Sequence, residues 1–235
     1  MKRRDMRVRH TCLITAAVLV ALAAAGCRST AGTGMEATPA PAADATAELE
    51  ALYQARMDSA RMLFTEADVH FMTGMIAHHA QALVMARLAP THGARATVQT
   101  LAARIINAQQ DEIATMQQWL RDRGQPVPEV HITGTTLMVH GADDHAMHMP
   151  GMLTQEQLQE LDEARDAAFD RLFLTYMIQH HSGAVTMVDD LFSTDGAAQD
   201  EAAFKLASDI HVDQITEIER MERMLGALPD ASRDP

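Results

Sequence analysis

Cysteine is nearly absent. The 235-residue chain has two, Cys12 and Cys27, both close to the N-terminus. Once the leading segment is removed and Cys27 is modified, no thiol is left for a disulfide, a thiolate metal site or a nucleophile. Basic residues are also short, with 19 Lys and Arg against 32 Asp and Glu and a net charge of −13. A field of that sign repels nucleic acid and anionic membrane surfaces and draws cations. No Gly-rich phosphate loop, Ser-His-Asp order or basic stripe occurs. Nucleotide binding, serine-type hydrolysis and nucleic-acid recognition lose their support, and a binding protein is expected rather than an enzyme. Sustained period-two alternation is missing, so no sheet is expected. The longest apolar run, residues 12–25, falls short of the roughly 20 residues that cross a bilayer.

That run follows Lys2, Arg3, Arg4, Arg7 and Arg9 and ends at Ala24-Ala25-Gly26-Cys27. The arrangement reads as a signal peptide of the lipoprotein type over residues 1–26, with Cys27 as the lipidated first residue. It places the folded part outside the cytoplasm, on the periplasmic side of a bacterial membrane or at the cell surface. Membrane contact is then through the lipid alone. Residues 27–47, rich in Ala, Gly, Thr and Pro, read as a disordered tether, and residues 227–235 as a disordered tail.

Histidine and methionine are what the chain has in quantity, 12 and 17 residues. Met75-Ile76-Ala77-His78-His79-Ala80-Gln81-Ala82-Leu83-Val84-Met85 recurs as Met177-Ile178-Gln179-His180-His181-Ser182-Gly183-Ala184-Val185-Thr186-Met187. A second pattern follows each copy: Ile105-x3-Gln109-x2-Glu112-Ile113-x2-Met116, then Ile210-x3-Gln214-x2-Glu217-Ile218-x2-Met221. The chain reads as an internal duplication that carries its histidines with it. Apolar steps of three and four predict helices over about 47–64, 65–90, 94–123, 154–192 and 197–225, the fourth broken near Asp166. Thr65 to Asp68 and Thr154 to Gln157 have the form of capping boxes. The expected architecture is an all-α, four-helix bundle over residues 48–226, built from two duplicated hairpins in halves 48–124 and 154–226. Residues 125–153 form a Met/His-rich connecting loop.

Met75, His78, Ala82 and Met85 share a helical face, as do Gln109, Glu112 and Met116. Facing stripes of this kind would bring Met75, His78, His79, Met85 and Glu112 together with Met177, His180, His181, Met187 and Glu217. Helical methionines and single core histidines usually serve packing. Adjacent histidines repeated at matching positions with a carboxylate on the next helix favour metal binding over a hydrogen-bonded core. Neighbouring histidines point about 100° apart, so one of each pair is the expected ligand. His211 is an asymmetric addition in the second half. The connecting loop adds His140, His145, Met147, His148, Met149 and Met152, a run with little use as core. Thioether with imidazole suits Cu(I), and imidazole with oxygen suits Cu(II).

The repeated motifs, opening with Phe71-Met72-x2-Met75 and continuing through the His pairs, resemble the bacterial DUF305 family, which includes copper-resistance proteins of the CopM type. The resemblance implies a ferritin-like helical bundle, exported, that binds copper through Met and His for sequestration, resistance or transfer to a partner protein. It points to Met75, His78, His79 and Met85, and to Met177, His180, His181 and Met187. An iron or manganese dinuclear oxidase is the enzyme-class alternative. The Glu-x-x-His pattern of such sites is missing, and Gln-x-x-Glu stands in its place. A helical interaction module without metal is the other alternative. Self-association into a homo-oligomer is left open by the sequence.

Overall fold

Two helical hairpins make the bundle. In the computed structural model, which describes residues 42–141 and 148–229, the elements are α1 (Ala42–Arg61), α2 (Glu66–Ala86), α3 (Ala96–Asp122), β1 (Glu129–Thr133), β2 (Thr136–His140), α4 (Gln155–Glu163), α5 (Asp166–Ser193) and α6 (Glu201–Gly226). The signal segment, Cys27, tether residues 27–41, His145, Met147 and tail residues 230–235 lie outside the described residues. From Asp44 onward the described chain forms one compact unit. The all-α class holds for the bundle, with α2 packed on α3, α5 on α6 and α2 on α5.

The helices start where their caps direct. Thr65 accepts from the Asp68 amide and donates its own N–H to Asp68 Oδ2 at 2.8 Å, a reciprocal box at the head of α2. Thr154 and Gln157 do the same for α4. The break expected near Asp166 separates α4 from α5. Asp166 sits at φ 52°, and its N–H bonds the His92 carbonyl at 2.8 Å. α6 begins later than its apolar pattern suggests because Asp200, the N-cap, accepts from the Ala203 amide at 2.9 Å.

Three expectations need correction. A sheet does exist: β1 and β2 pair antiparallel, with Val130, Ile132, Leu137 and Val139 turned toward the bundle. The alternation is only five residues long on each strand and lies among Pro and Gly residues, so it reads as a linker. The segment 42–47, read as tether, is the first turn and a half of α1. Residues 227–229, read as tail, are tied down, since Ala227 caps α6 and Arg171 donates to the Pro229 carbonyl at 2.6 Å. Along α1 the apolar residues Leu49, Leu52, Tyr53 and Met57 are exposed.

Two buried carboxylates tie the hairpins together. Asp68 on α2 accepts from the Ala198 amide in the α5–α6 turn at 2.7 Å. Asp170 on α5 accepts from the Arg95 amide and side chain in the α2–α3 turn, at 3.2 and 2.7 Å. Each lies ten residues before the first histidine of its own pair. Replacing Asp68 with Ala would leave the buried Ala198 N–H without a partner. Urea unfolding should show a loss of about 2 kcal/mol, with an unchanged slope against denaturant.

Candidate metal centre

The apolar core is divided in two by a polar layer. On α2, Phe71, Met72, Met75 and Ile76 belong to one apolar cluster, and Ala82, Val84, Met85 and Ala86 to the other. On α5 the order is reversed: Phe173, Leu174 and Met177 join the second cluster, Ala184, Met187 and Val188 the first. The helices are therefore antiparallel, and the two His pairs lie at one level. Gln109 and Glu112 on α3 occupy the same level between Ile105 and Met116, as Gln214 and Glu217 do on α6 between Ile210 and Met221. Met75 and Met187 border the layer on one side, Met85 and Met177 on the other.

His78, His79, His180 and His181 are all 0% exposed. Each pair splits, as 100° of rotation per residue requires. His79 Nε2 meets Glu112 Oε2 at 2.7 Å, and His181 Nε2 meets Glu217 Oε2 at 2.7 Å. His78 and His180 point across instead, their ring centroids 3.8 Å apart. His78 Nε2 donates to the Pro150 carbonyl at 3.0 Å. A ring whose Nε2 is the donor keeps its lone pair on Nδ1 when neutral. Nδ1 of His78, His79 and His181 is buried without a partner, and so are both ring nitrogens of His180. Both side-chain amide atoms of Gln109 and the Gln214 oxygen are in the same condition.

Burial, then the neighbouring His79, lowers the His78 pKa to about 3, against the opposing bond to Pro150. Burial and the three other imidazoles push His180 well below its ordinary value. Both rings are neutral near pH 7 and offer lone pairs. Among the described residues, no three His, Cys, Asp or Glu side chains are gathered closely enough to hold an ion by themselves. A cation in the layer would need thioethers or amides as well, and Met75, Met85, Met177 and Met187, all buried, border it.

Glu112 and Glu217 therefore stand as hydrogen-bond partners of histidine. They also line a cleft of about 250 Å³ between α3 and α6, with Gln109, Asp213 and Gln214. The Asp213 carboxyl is raised by its burial and by Glu112, Glu217 and Asp209 nearby. Arg104 and Arg220 also line this cleft.

The connecting loop is not one exposed run. His140 ends β2 and is exposed, as is His148, whereas Met149 and Met152 are half-buried and Leu153 is buried. The strap from 149 to 153 is docked across α2 and α5. Gln81 holds the Leu153 amide and carbonyl, at 2.7 and 3.0 Å. A Cβ on Gly183 would overlap the Pro150 carbonyl, and one on Gly74 would overlap the end of Met149. Glycine stands at these places because the strap passes so close. His211 lies apart from the layer, 3.3 Å from Asp189.

Sequence reasoning missed Asp68 and Asp170 as ties, Gln81 and Gly183 as seats for the strap, and Asp213. The shared ten-residue spacing was a usable signal for the first two. His92 and Trp119 also have polar partners. His92 Nε2 is 3.0 Å from Asp162, and Trp119 Nε1 donates to Asp200 at 2.9 Å. Asp200 is lowered, because bonds from Trp119, Arg123 and the Ala203 amide outweigh its burial.

The sequence profile of a family described as a domain of unknown function, DUF305, matches residues 68–225. The chain belongs to the DUF305 family. The DUF305 match begins at Asp68 and encloses both His pairs and both Gln-x-x-Glu patterns. A DUF305 fragment from Deinococcus radiodurans superposes with a TM-score of 0.58 at 31% identity, covering 70% of this chain and 99% of that one. CopM in its Cu(I)-bound form superposes with a TM-score of 0.50 at 28% identity, covering 68% of this chain and 95% of that one. CopM is also solved in Cu(II)-bound and silver-bound forms. No curated protein matches the chain.

Proposed function

We propose that this DUF305 protein binds copper, by ligand exchange and without turnover, to sequester it or pass it to an acceptor protein. The observation that carries the reading is the set of buried, unpartnered imidazole nitrogens between two borders of methionine. Orphaned buried polar atoms are costly in a protein that has no use for them. Neutral imidazole with thioether suits Cu(I), and silver is a soft ion of the same kind. The likeness to CopM, solved with copper and with silver, supports the same class of ion. Glu112 and Glu217 are cast as positioning residues. Ligating histidines commonly give their other ring N–H to a carboxylate, which here would aim Nδ1 of His79 and His181 at the ion.

His148, Met149 and Met152, with His145 and Met147, would receive the ion before the layer holds it. The N-terminal pattern supports export and a lipid anchor at Cys27.

The test is chelator competition for Cu(I), with Cu(II), Zn(II), Fe(II) and Mn(II) in parallel, on the wild type and on a His78→Ala/His180→Ala variant. The expected result is a tight Cu(I) site in the wild type, weakened by roughly a hundredfold or more in the variant. Equal affinity in both would remove the layer from the function. Preferential binding of Fe(II) or Mn(II) would favour an oxidase.

A further inference from the structure

The β1–β2 hairpin presents a second group of donor side chains, well away from the buried layer in character and surroundings. Its inner face is apolar: Ile132 and Leu137 pack against one core cluster and Val130 against the other. Its outer face carries Glu129 and His131 on β1 with Met138 and His140 on β2, all exposed. Strand pairing fixes their arrangement. Glu129 lies directly opposite His140, and His131 directly opposite Met138. Directly opposed Cβ atoms are about 5 Å apart. The His131 and His140 rings already meet across the ladder, centroids 5.4 Å apart and planes at 62°. Glu129 Oε2 is 3.9 Å from His131 Nε2.

A solvent face of a short hairpin is normally Thr, Lys and Glu. Here Thr133 and Thr136 take that part near the turn, and the other four positions all carry atoms able to ligate a metal. Met138 is 47% exposed, with no core to fill. His131 is 55% exposed and free to turn its ring toward a shared ion.

We propose that His131, Met138 and His140 form a surface copper site, with Glu129 as an added oxygen ligand for Cu(II). Two imidazoles and a thioether fit Cu(I) with three ligands; Glu129, His131 and His140 do not converge as they stand, and the exposed His131 and Glu129 side chains must turn to place two imidazoles and a carboxylate on Cu(II). The site rests on the copper reading for the identity of its ion and on the hairpin geometry for its existence. It is rigidly paired and open to water, so it takes up ions quickly, whereas the buried layer holds them out of solvent.

The experiment uses the full chain in the wild-type and His78→Ala/His180→Ala backgrounds, titrated with Cu(I) and separately with Cu(II), with and without His131→Asn/His140→Asn. The hairpin pair of changes is expected to remove one copper equivalent in either background, or to weaken it roughly tenfold or more. Met138→Leu should weaken Cu(I) and spare Cu(II). In NMR spectra, the His131 and His140 ring signals should broaden at less than one equivalent of Cu(II). Unchanged stoichiometry and affinity after His131→Asn/His140→Asn would overturn the proposal. Loss of binding only on changing the layer would also overturn it and leave the layer's role standing. Loss only on changing the hairpin would uphold this site and remove the layer's role.

Discussion

Taking the metal-free protein from pH 6 to pH 5 should lower its stability by about 2 kcal/mol. His78 and His180 are neutral in the folded state down to far lower pH, with His78 at about 3. In the unfolded chain both titrate near 6.5. Above that value neither state binds a proton at these rings, and pH has no effect through them. Below it the unfolded chain takes up two protons that the folded chain refuses, and each contributes about 1.4 kcal/mol per pH unit at full occupancy. The penalty grows as pH falls and levels off once the folded pKa is passed. Asp213, with its raised carboxyl, acts in the opposite direction. The comparison that isolates the rings is therefore wild type against His180→Leu, whose loss over the same interval should be about half. Urea denaturation at pH 6, 5.5 and 5 measures both. A flat wild-type profile would show that the rings are hydrated or paired. Bound copper keeps the rings unprotonated, so the loaded protein should resist acid better until protons displace the ion.

The same replacement, His180→Leu, should raise the stability of the metal-free protein at pH 7 by about 2 kcal/mol while weakening Cu(I) roughly a hundredfold. His180 is 0% exposed, and neither ring nitrogen has a hydrogen-bond partner. Leucine is similar in volume and has no polar atom to desolvate. Exchanging an unsatisfied buried polar group for an apolar one of like size is commonly neutral or stabilising. Some of the gain is lost with the tilted contact to the His78 ring, whose centroid is 3.8 Å away with the planes at 35°. Gain of stability with loss of binding marks a residue kept for its chemistry. A less stable variant with unchanged copper affinity would mark a packing residue instead. Thermal unfolding with and without one equivalent of Cu(I) distinguishes the two.

Much of the bundle was legible because the signals are local. Thr65 and Asp68 lie within one turn and make the capping box they spell. The Met–His stripes on α2 and α5 face inward because their period matches the helix. That each His pair splits follows from rotation per residue alone. Which member goes to the carboxylate and which crosses to the other hairpin depends on packing between helices 100 residues apart in sequence. Long-range packing likewise hides the tie between Asp170 and Arg95, 75 residues apart, and the seat that Gly183 makes for Pro150. The hairpin escaped notice because five-residue strands flanked by proline and glycine look like a linker. The meeting of His131 with His140 is invisible in the sequence because only strand pairing brings the two rings together.

The most direct test of copper held by the buried layer is X-ray absorption at the copper edge, on protein loaded with one equivalent of Cu(I). With the hairpin removed by His131→Asn/His140→Asn, imidazole nitrogen together with thioether sulfur is expected around the ion, and the imidazole scattering should weaken when His78→Ala/His180→Ala is added. A spectrum without imidazole, or one that adding His78→Ala/His180→Ala leaves unchanged, would contradict copper held by the layer.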